Sequence, residues 1–164
     1  MVGKRGNLQV KIDIRPFQQS DYELYAETLR LTLPCDDIEE AKKNVDIAMN
    51  RIKNKNRELW VAEENSTAIG FMLLEFEPKS HNIEIDWFDV HPDHQRIGVG
   101  TVLVKEAEER ARNLGYKTIS LHTAVSNRKM RSFGRKNEFN EESRLPEFWG
   151  ESTEDAYLLV KKIV

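Results

Sequence analysis

Between Val10 and Arg15 the chain alternates strictly, Val10, Ile12 and Ile14 against Lys11, Asp13 and Arg15, and this predicts a half-buried β-strand. The period then changes. Ser20-Asp21-Tyr22-Glu23 has the form of a capping box and predicts a helix over 21–31 that stops before Pro34. A second helix is predicted from about Asp36, because Ile38, Ala41, Val45, Ala48 or Met49, and Ile52 recur at helical spacing. Residues 58–63 and 68–76 are strand-like runs around the turn-like Asn65-Ser66-Thr67, as in an antiparallel hairpin. A third run covers 83–90, with Ile83, Ile85 and Trp87 set against Glu84 and Asp86; Trp60 and Trp87 are expected in the core. A polar, glycine-bearing loop follows, then a helix over 100–114 with Val99, Val102, Leu103, Ala107, Ala111 and Leu114 along one stripe. Gly115 is placed to end it in a left-handed conformation. A strand over 117–123, a helix over 127–136 and a final strand from Ala156 complete the pattern, with a further strand near 144–149 as an option. This order predicts a mixed sheet covered by helices, in a single domain over 1–164 with residues 1–8 as a flexible N-terminus.

Composition narrows the classes. A net charge of −3 offers no general attraction to nucleic acid or to a membrane surface. No run approaches the roughly 20 apolar residues of a membrane-spanning helix. Cys35 is the only cysteine, which excludes disulfides within the chain and cysteine-cluster zinc sites. His81, His91, His94 and His122 have no metal-ligand spacing, so no metal is expected. The expectation is a cytoplasmic protein, monomeric or homodimeric.

The most informative segment is His91-Pro92-Asp93-His94-Gln95-Arg96-Ile97-Gly98-Val99-Gly100-Thr101, between a strand and a strong helix. Glycines at 98 and 100 allow a tight bend that turns successive N–H groups into one concavity. The helix adds its unpaired first N–H groups and the positive end of its dipole, a natural seat for a diphosphate. Two familiar phosphate loops fail on the residues. A P-loop needs Gly-Lys-Ser/Thr at the helix entrance, where Gly100-Thr101-Val102 stands, and a dinucleotide-binding turn needs a third glycine where Leu103 stands.

With these residues in view, the chain resembles the GNAT superfamily of N-acetyltransferases. That family's Gln/Arg-x-x-Gly-x-Gly/Ala signature is matched by Gln95, Gly98 and Gly100, and the preceding strand end by Phe88-Asp89-Val90-His91-Pro92. Ser126-Asn127 and the segment from Phe133 to Phe139 match the family's later asparagine and closing aromatic. The resemblance implies an α/β (α+β) fold with a mixed, mostly antiparallel sheet of six to seven strands, splayed in the middle and flanked by about four helices. It implies acetyl-CoA as cosubstrate, gripped by backbone at Gln95, Arg96, Ile97, Gly98, Val99, Gly100 and Thr101. Backbone at Phe88, Asp89 and Val90 would meet the pantetheine arm, Asn127 would bond it and Phe133 would wall the groove. The Val90 N–H would face the oxyanion.

The implied reaction is direct attack of a primary amine on the thioester, which needs a proton acceptor. Glu84 is the first candidate and Asp86 the second, both pointing one way along the strand; a bulge would bring Asp89 to their face. The family's usual tyrosine acid is replaced by Gly134, leaving water, Ser132 or Tyr157 to protonate the leaving thiolate, and the usual glycine before the final aromatic is Glu138, with Asn137 free to supply the left-handed turn. His122 is either a proton carrier or a structural histidine. Arg128, Lys129, Arg131, Arg135 and Lys136 either attract the ribose phosphate or form a solvated helix face. Phe148 and Trp149 either line the acceptor entrance or close the sheet edge. The ending Phe148-Trp149 to Asp155-Ala156-Tyr157 is similar to that of the N-terminal protein acetyltransferase branch. The acceptor expected is therefore a protein N-terminus or a small amine. The loss of the tyrosine also admits a non-catalytic acyl-CoA sensor.

Overall fold

The computed structural model describes residues 11–164, so the expectations for residues 1–8 and for Val10 lie outside the described residues. In chain order the elements are β1 (Asp13–Pro16), α1 (Tyr22–Thr32), α2 (Ile38–Arg51), β2 (Arg57–Glu64), β3 (Thr67–Glu77), β4 (Asn82–Val90), α3 (Val99–Leu114), β5 (Thr118–Ala124), α4 (Arg128–Lys136), β6 (Asn140–Leu145) and β7 (Ala156–Lys162). The strands form one seven-stranded sheet in the order β1-β2-β3-β4-β5-β7-β6. All neighbours are antiparallel except β4 and β5. This is the splayed mixed sheet expected from the sequence.

Local chemistry explains most boundaries and corrects a few. The β2–β3 hairpin turns on Asn65 and Ser66 alone, at φ 49° and 64°, and Thr67 already belongs to β3. Small polar residues tolerate that left-handed pair, which matches the strand twist. The capping box at Ser20 does not form. Asp21 takes the role instead, its carboxylate accepting the Gln18 N–H at 2.8 Å and N–H bonds from the two terminal guanidinium nitrogens of Arg15 at 2.7 and 2.8 Å. Burial pushes the Asp21 carboxyl up, but Arg15 and the Gln18 amide hold it below its ordinary value. At α2 the cap is Asp37, bonded to the Glu40 N–H at 2.9 Å. The β6 strand lies earlier than the optional run at 144–149, because 140–144 is a polar, exposed edge with no apolar alternation to read.

Two apolar layers hold the sheet. On one face Tyr25, Leu29, Val45, Leu59, Phe71 and Leu73 are buried with α1 and α2. On the other, Met72, Leu74, Ile83, Leu103, Ile119 and Leu159 are buried with α3, and Met130 and Phe133 of α4 pack against them. Each such side chain contributes about 1.5–3 kcal/mol. The α3 stripe differs from expectation: Val104 is buried, Val102 is only half-buried, and Leu114 is 50% exposed at the helix end. Trp60 and Trp87 are likewise only half-buried. The start of α3 is drawn onto the sheet at Gly70, where a Cβ would stand 2.8 Å from Val99 Cγ1. Gly70 pairs with Val90, so this close approach sets the helix entrance beside the end of β4.

One irregularity shapes β4. Leu73 pairs with Trp87 and Leu74 with Ile85, leaving Asp86 as the extra residue of a bulge. The alternation read from the sequence breaks there. Trp87 crosses to the α1/α2 face, and Asp89 follows it. Beyond the bulge β4 also leaves β5, since their parallel pairing covers only Asn82–Glu84 against Thr118–Ser120.

The late helix explains one departure and corrects one expectation. At Gly134 a Cβ would lie 2.7 Å from Leu159 Cδ1, so the glycine admits β7 packing. The left-handed turn before Phe139 falls on Glu138 itself, at φ 66°, and not on Asn137. A left-handed non-glycine residue costs about 1–2 kcal/mol. The exposed Glu138–Lys161 ion pair at 3.1 Å returns at most about 1 kcal/mol. Glu138→Gly is therefore expected to stabilise the fold by roughly 0.5–1 kcal/mol, raising Tm by about 1–4 °C in calorimetry; an unchanged or lower Tm would contradict this.

Candidate active site

After Val90 the chain makes one 3₁₀ turn over Pro92–His94, where His91 Nδ1 accepts the Asp93 N–H at 3.2 Å. Arg96 (φ 65°) and Gly98 (φ 98°) then take left-handed conformations, and α3 opens at Val99. Left-handed residues at such close spacing aim successive N–H groups into one concavity. The Val102 N–H donates to the Gly98 carbonyl at 3.0 Å, which leaves the amides of Val99, Gly100 and Thr101 without partners inside the helix. No side chain caps them. The concavity is open at Gly98, where nothing lies within 4 Å of a Cβ position.

The splay supplies the rest of the groove. The His91 N–H donates to the Ile69 carbonyl at 2.9 Å. By antiparallel alternation the amides of Phe88 and Val90 therefore face away from β3, into the gap left by β5. Gln95 Nε2 donates to the Val90 carbonyl at 3.1 Å and fixes the loop against the strand end. Two connected chambers result. The larger, about 1070 Å³, runs from the loop along α4. The smaller, about 370 Å³, lies between β4, β5 and the β6–β7 loop. They share Leu33, Phe88, Asp89, Asn127 and Met130.

The residues singled out in the sequence distribute along this cleft. Val90, Gln95, Arg96, Gly98, Val99, Gly100, Thr101 and Phe133 line the large chamber, and Asp86 lines the small one. Ile97 lines neither and is 46% exposed. Asn127 caps α4 with its Oδ1, which accepts the Met130 N–H at 3.0 Å, so only its amide nitrogen remains to face the cleft. Phe133 packs on Phe88 at 5.4 Å between ring centroids, over Gly100. Ser132 lines the large chamber, whereas Tyr157 is packed under Arg131 at 4.6 Å. The basic cluster divides: Arg131 and Arg135 pair with Glu141, while Arg128, Lys129 and Lys136 line the large chamber.

Glu84 does not itself line either chamber. Its Oε1 lies 2.7 Å from His122 Nδ1, and His122 does line the small one. A carboxylate at Nδ1 favours the tautomer with the proton there, leaving Nε2 with a free lone pair. Phe148 stacks on that imidazole at 4.2 Å and 17°, and Trp149 lines the chamber wall. Both rings stand beside the small chamber. In the sequence His122 stands alone; its partners come from β4 and a distant loop, which no local spacing reveals.

Asp86 is ion-paired with Arg51 of α2, whose guanidinium sits 5.2 Å over the Trp87 ring. Burial still pushes the Asp86 carboxyl up, offset in part by Arg51. Asp89 accepts from Thr32 Oγ1 at 3.2 Å, and that hydroxyl also lies 3.0 Å from the Thr28 carbonyl. Enclosure pushes the Asp89 carboxyl up to about 6, against the opposing effect of Thr32. A raised carboxyl means the folded chain holds this proton more tightly than the unfolded one. Stability should then fall as pH rises from about 4 to about 6 and stay at that lower level above. Asp89→Asn keeps an acceptor for Thr32 and removes the buried charge. It is expected to stabilise the protein by roughly 1–3 kcal/mol at pH 7.5 and negligibly near pH 4, as read by denaturant unfolding. Equal effects at both pH values would contradict the assignment.

Comparison with known proteins gives this architecture a class. A family model described as the acetyltransferase (GNAT) family matches residues 20–139. The chain belongs to this family, whose members are N-acetyltransferases that use acetyl-CoA. Among solved structures it is similar to Ard1 from Thermoplasma volcanium, at 18% identity and TM-score 0.78, over 94% of this chain and 99% of that one. The ribosomal-protein-S18-alanine N-acetyltransferase from Escherichia coli shares 18% identity at TM-score 0.73, over 93% and 94% of the two chains. The spermidine/spermine N-acetyltransferase SpeG from Vibrio cholerae shares 20% identity at TM-score 0.71, over 93% and 92%. At these identities the likeness is one of fold. No curated protein sequence matches. Among the described residues no helix is long and apolar enough to cross a membrane, and no group of three His, Cys, Asp or Glu side chains is arranged to hold a metal.

Proposed function

We propose that the chain, acting as one catalytic unit, transfers the acetyl group of acetyl-CoA to a primary amine. One observation carries the proposal: a single cleft joins an amide cradle at the α3 entrance to a chamber walled by an imidazole–carboxylate pair. The residues fit the coenzyme. The unpaired amides of Val99, Gly100 and Thr101, with the left-handed turns at Arg96 and Gly98, suit a diphosphate. Arg128, Lys129 and Lys136 add positive charge along the same chamber, and the Asn127 amide is a donor to the pantetheine arm. Acetyl-CoA supplies the acyl group, activated as a thioester.

The chain's own residues then divide the work. The Val90 N–H is the donor for a carbonyl oxygen that gains negative charge as the amine adds. His122 Nε2 accepts the amine's proton, and Glu84 holds the imidazole in the tautomer that can do so. The base read from the sequence as Glu84 thus acts through His122. Asp86, tied to Arg51, shapes the wall and is not assigned a proton. The acceptor is a protein N-terminus or a small amine, entering past Leu33 and Trp149. Gly134 has a packing reason against Leu159, and a non-catalytic acyl-CoA sensor is the alternative reading. Amine-dependent release of free thiol from acetyl-CoA tests the proposal. Turnover on a panel of primary amines is expected, and tight acetyl-CoA binding with no turnover on any acceptor would favour the sensor.

A further inference from the structure

The small chamber, read as above to receive the amine, has a charge balance that restricts which amine fits. Asp86 is compensated by Arg51. Glu84 is engaged with His122. Asp89, at the junction of the two chambers, has only the Thr32 hydroxyl as a side-chain partner and no cation. A single carboxylate is left uncompensated. Most of the remaining wall is apolar, Leu33, Trp87, Phe88, Met130 and Trp149 among it, with His122, Thr123 and Asn127 as its uncharged polar members. Leu33 and Trp149 are 38% and 52% exposed, so the apolar character continues to the mouth.

The β6–β7 loop at that mouth is held partly by its own hydrogen bonds. The Glu147 N–H donates to Asp155 at 3.2 Å, the Ser152 N–H to the Glu147 carboxylate at 2.9 Å, and Thr153 Oγ1 to the Gly150 carbonyl at 2.7 Å. At the mouth the loop presents the ring of Trp149, with Phe148 stacked on His122. A chamber of about 370 Å³ is at the small end for a ligand site.

We propose that the acceptor is a small monoamine with one cationic nitrogen on an aryl or branched-alkyl body, its ammonium bound by Asp89 and its body held between Leu33, Trp87 and Trp149. A polyamine would bring several ammonium groups to one free carboxylate, and the surplus would lose water against apolar walls. An aryl body instead covers the exposed rings, and an ammonium beside them gains from their π faces. This inference rests on the acetyl-transfer reading, and the two can fail separately.

The test compares 2-phenylethylamine, spermidine and a short peptide with a free N-terminus as acceptors for the full chain at saturating acetyl-CoA. The kcat/KM for 2-phenylethylamine is expected to exceed the other two by at least ~10-fold, and Asp89→Asn to raise its KM by ~10-fold or more with a smaller change in kcat. Trp149→Ala should narrow the preference for 2-phenylethylamine over n-propylamine. Better turnover of spermidine or of the peptide, or an Asp89→Asn variant with unchanged KM, would overturn the inference while acetyl transfer stands. Absence of acetyl-CoA binding by calorimetry would remove both.

Discussion

Gly100→Glu is expected to weaken acetyl-CoA binding by at least ~100-fold, about 2.7 kcal/mol, in a protein that remains folded. A Cβ at position 100 would stand 2.9 Å from Phe133 Cε2 and 3.1 Å from Phe88 Cζ. The rings can yield only by closing the groove they wall. A glutamate here also places a carboxylate beside the free amides of Val99 and Thr101, where it competes with a diphosphate for the same donors. The fold should tolerate the change, because position 100 has ordinary helical backbone and a carboxylate in the first turn of a helix is favourable. Calorimetry with acetyl-CoA reads the affinity and circular dichroism the fold. Undiminished affinity in the folded variant would show that the α3 entrance does not hold the coenzyme.

The second large effect concerns proton removal. His122→Ala is expected to lower kcat by ~10²–10⁴-fold, the usual range for loss of a general base, with acetyl-CoA affinity nearly intact. Glu84→Gln leaves a side chain that can donate to Nδ1 and so favours the wrong tautomer; a fall of roughly 10-fold or more is expected. If the two residues act as one unit, the double variant should be no slower than His122→Ala alone. Additive losses would mean that Glu84 and His122 act independently, and a His122→Ala enzyme with normal kcat would move the proton acceptor to another group, with Asp89 next in reach of the small chamber.

Much of this was legible in the sequence because it is periodic or local. The α3 stripe, the hairpin at Asn65-Ser66 and the loop glycines each depend on residues within a few positions of one another, where spacing carries the information. The features that required the structure depend on partners far apart in the chain. The extra residue at Asp86 is invisible as a pattern, yet it moves Trp87 and Asp89 across the sheet. Arg51 reaches Asp86 from another helix, and Phe148 reaches His122 from the β6–β7 loop. Gly134 looked like a lost catalytic position, but its reason is a leucine on the last strand. Glu138 shows a different limit: glycine is preferred in the left-handed turn, but a pair of contacts around Lys161 lets glutamate occupy it.

A crystal structure of the chain grown with acetyl-CoA would show directly whether the α3 entrance and the end of β4 hold the coenzyme. The diphosphate is expected against the amides of residues 96–101 and the thioester carbonyl within hydrogen-bond distance of the Val90 N–H, in the gap between β4 and β5. Coenzyme bound elsewhere, or a gap without it at saturating concentration, would contradict the account.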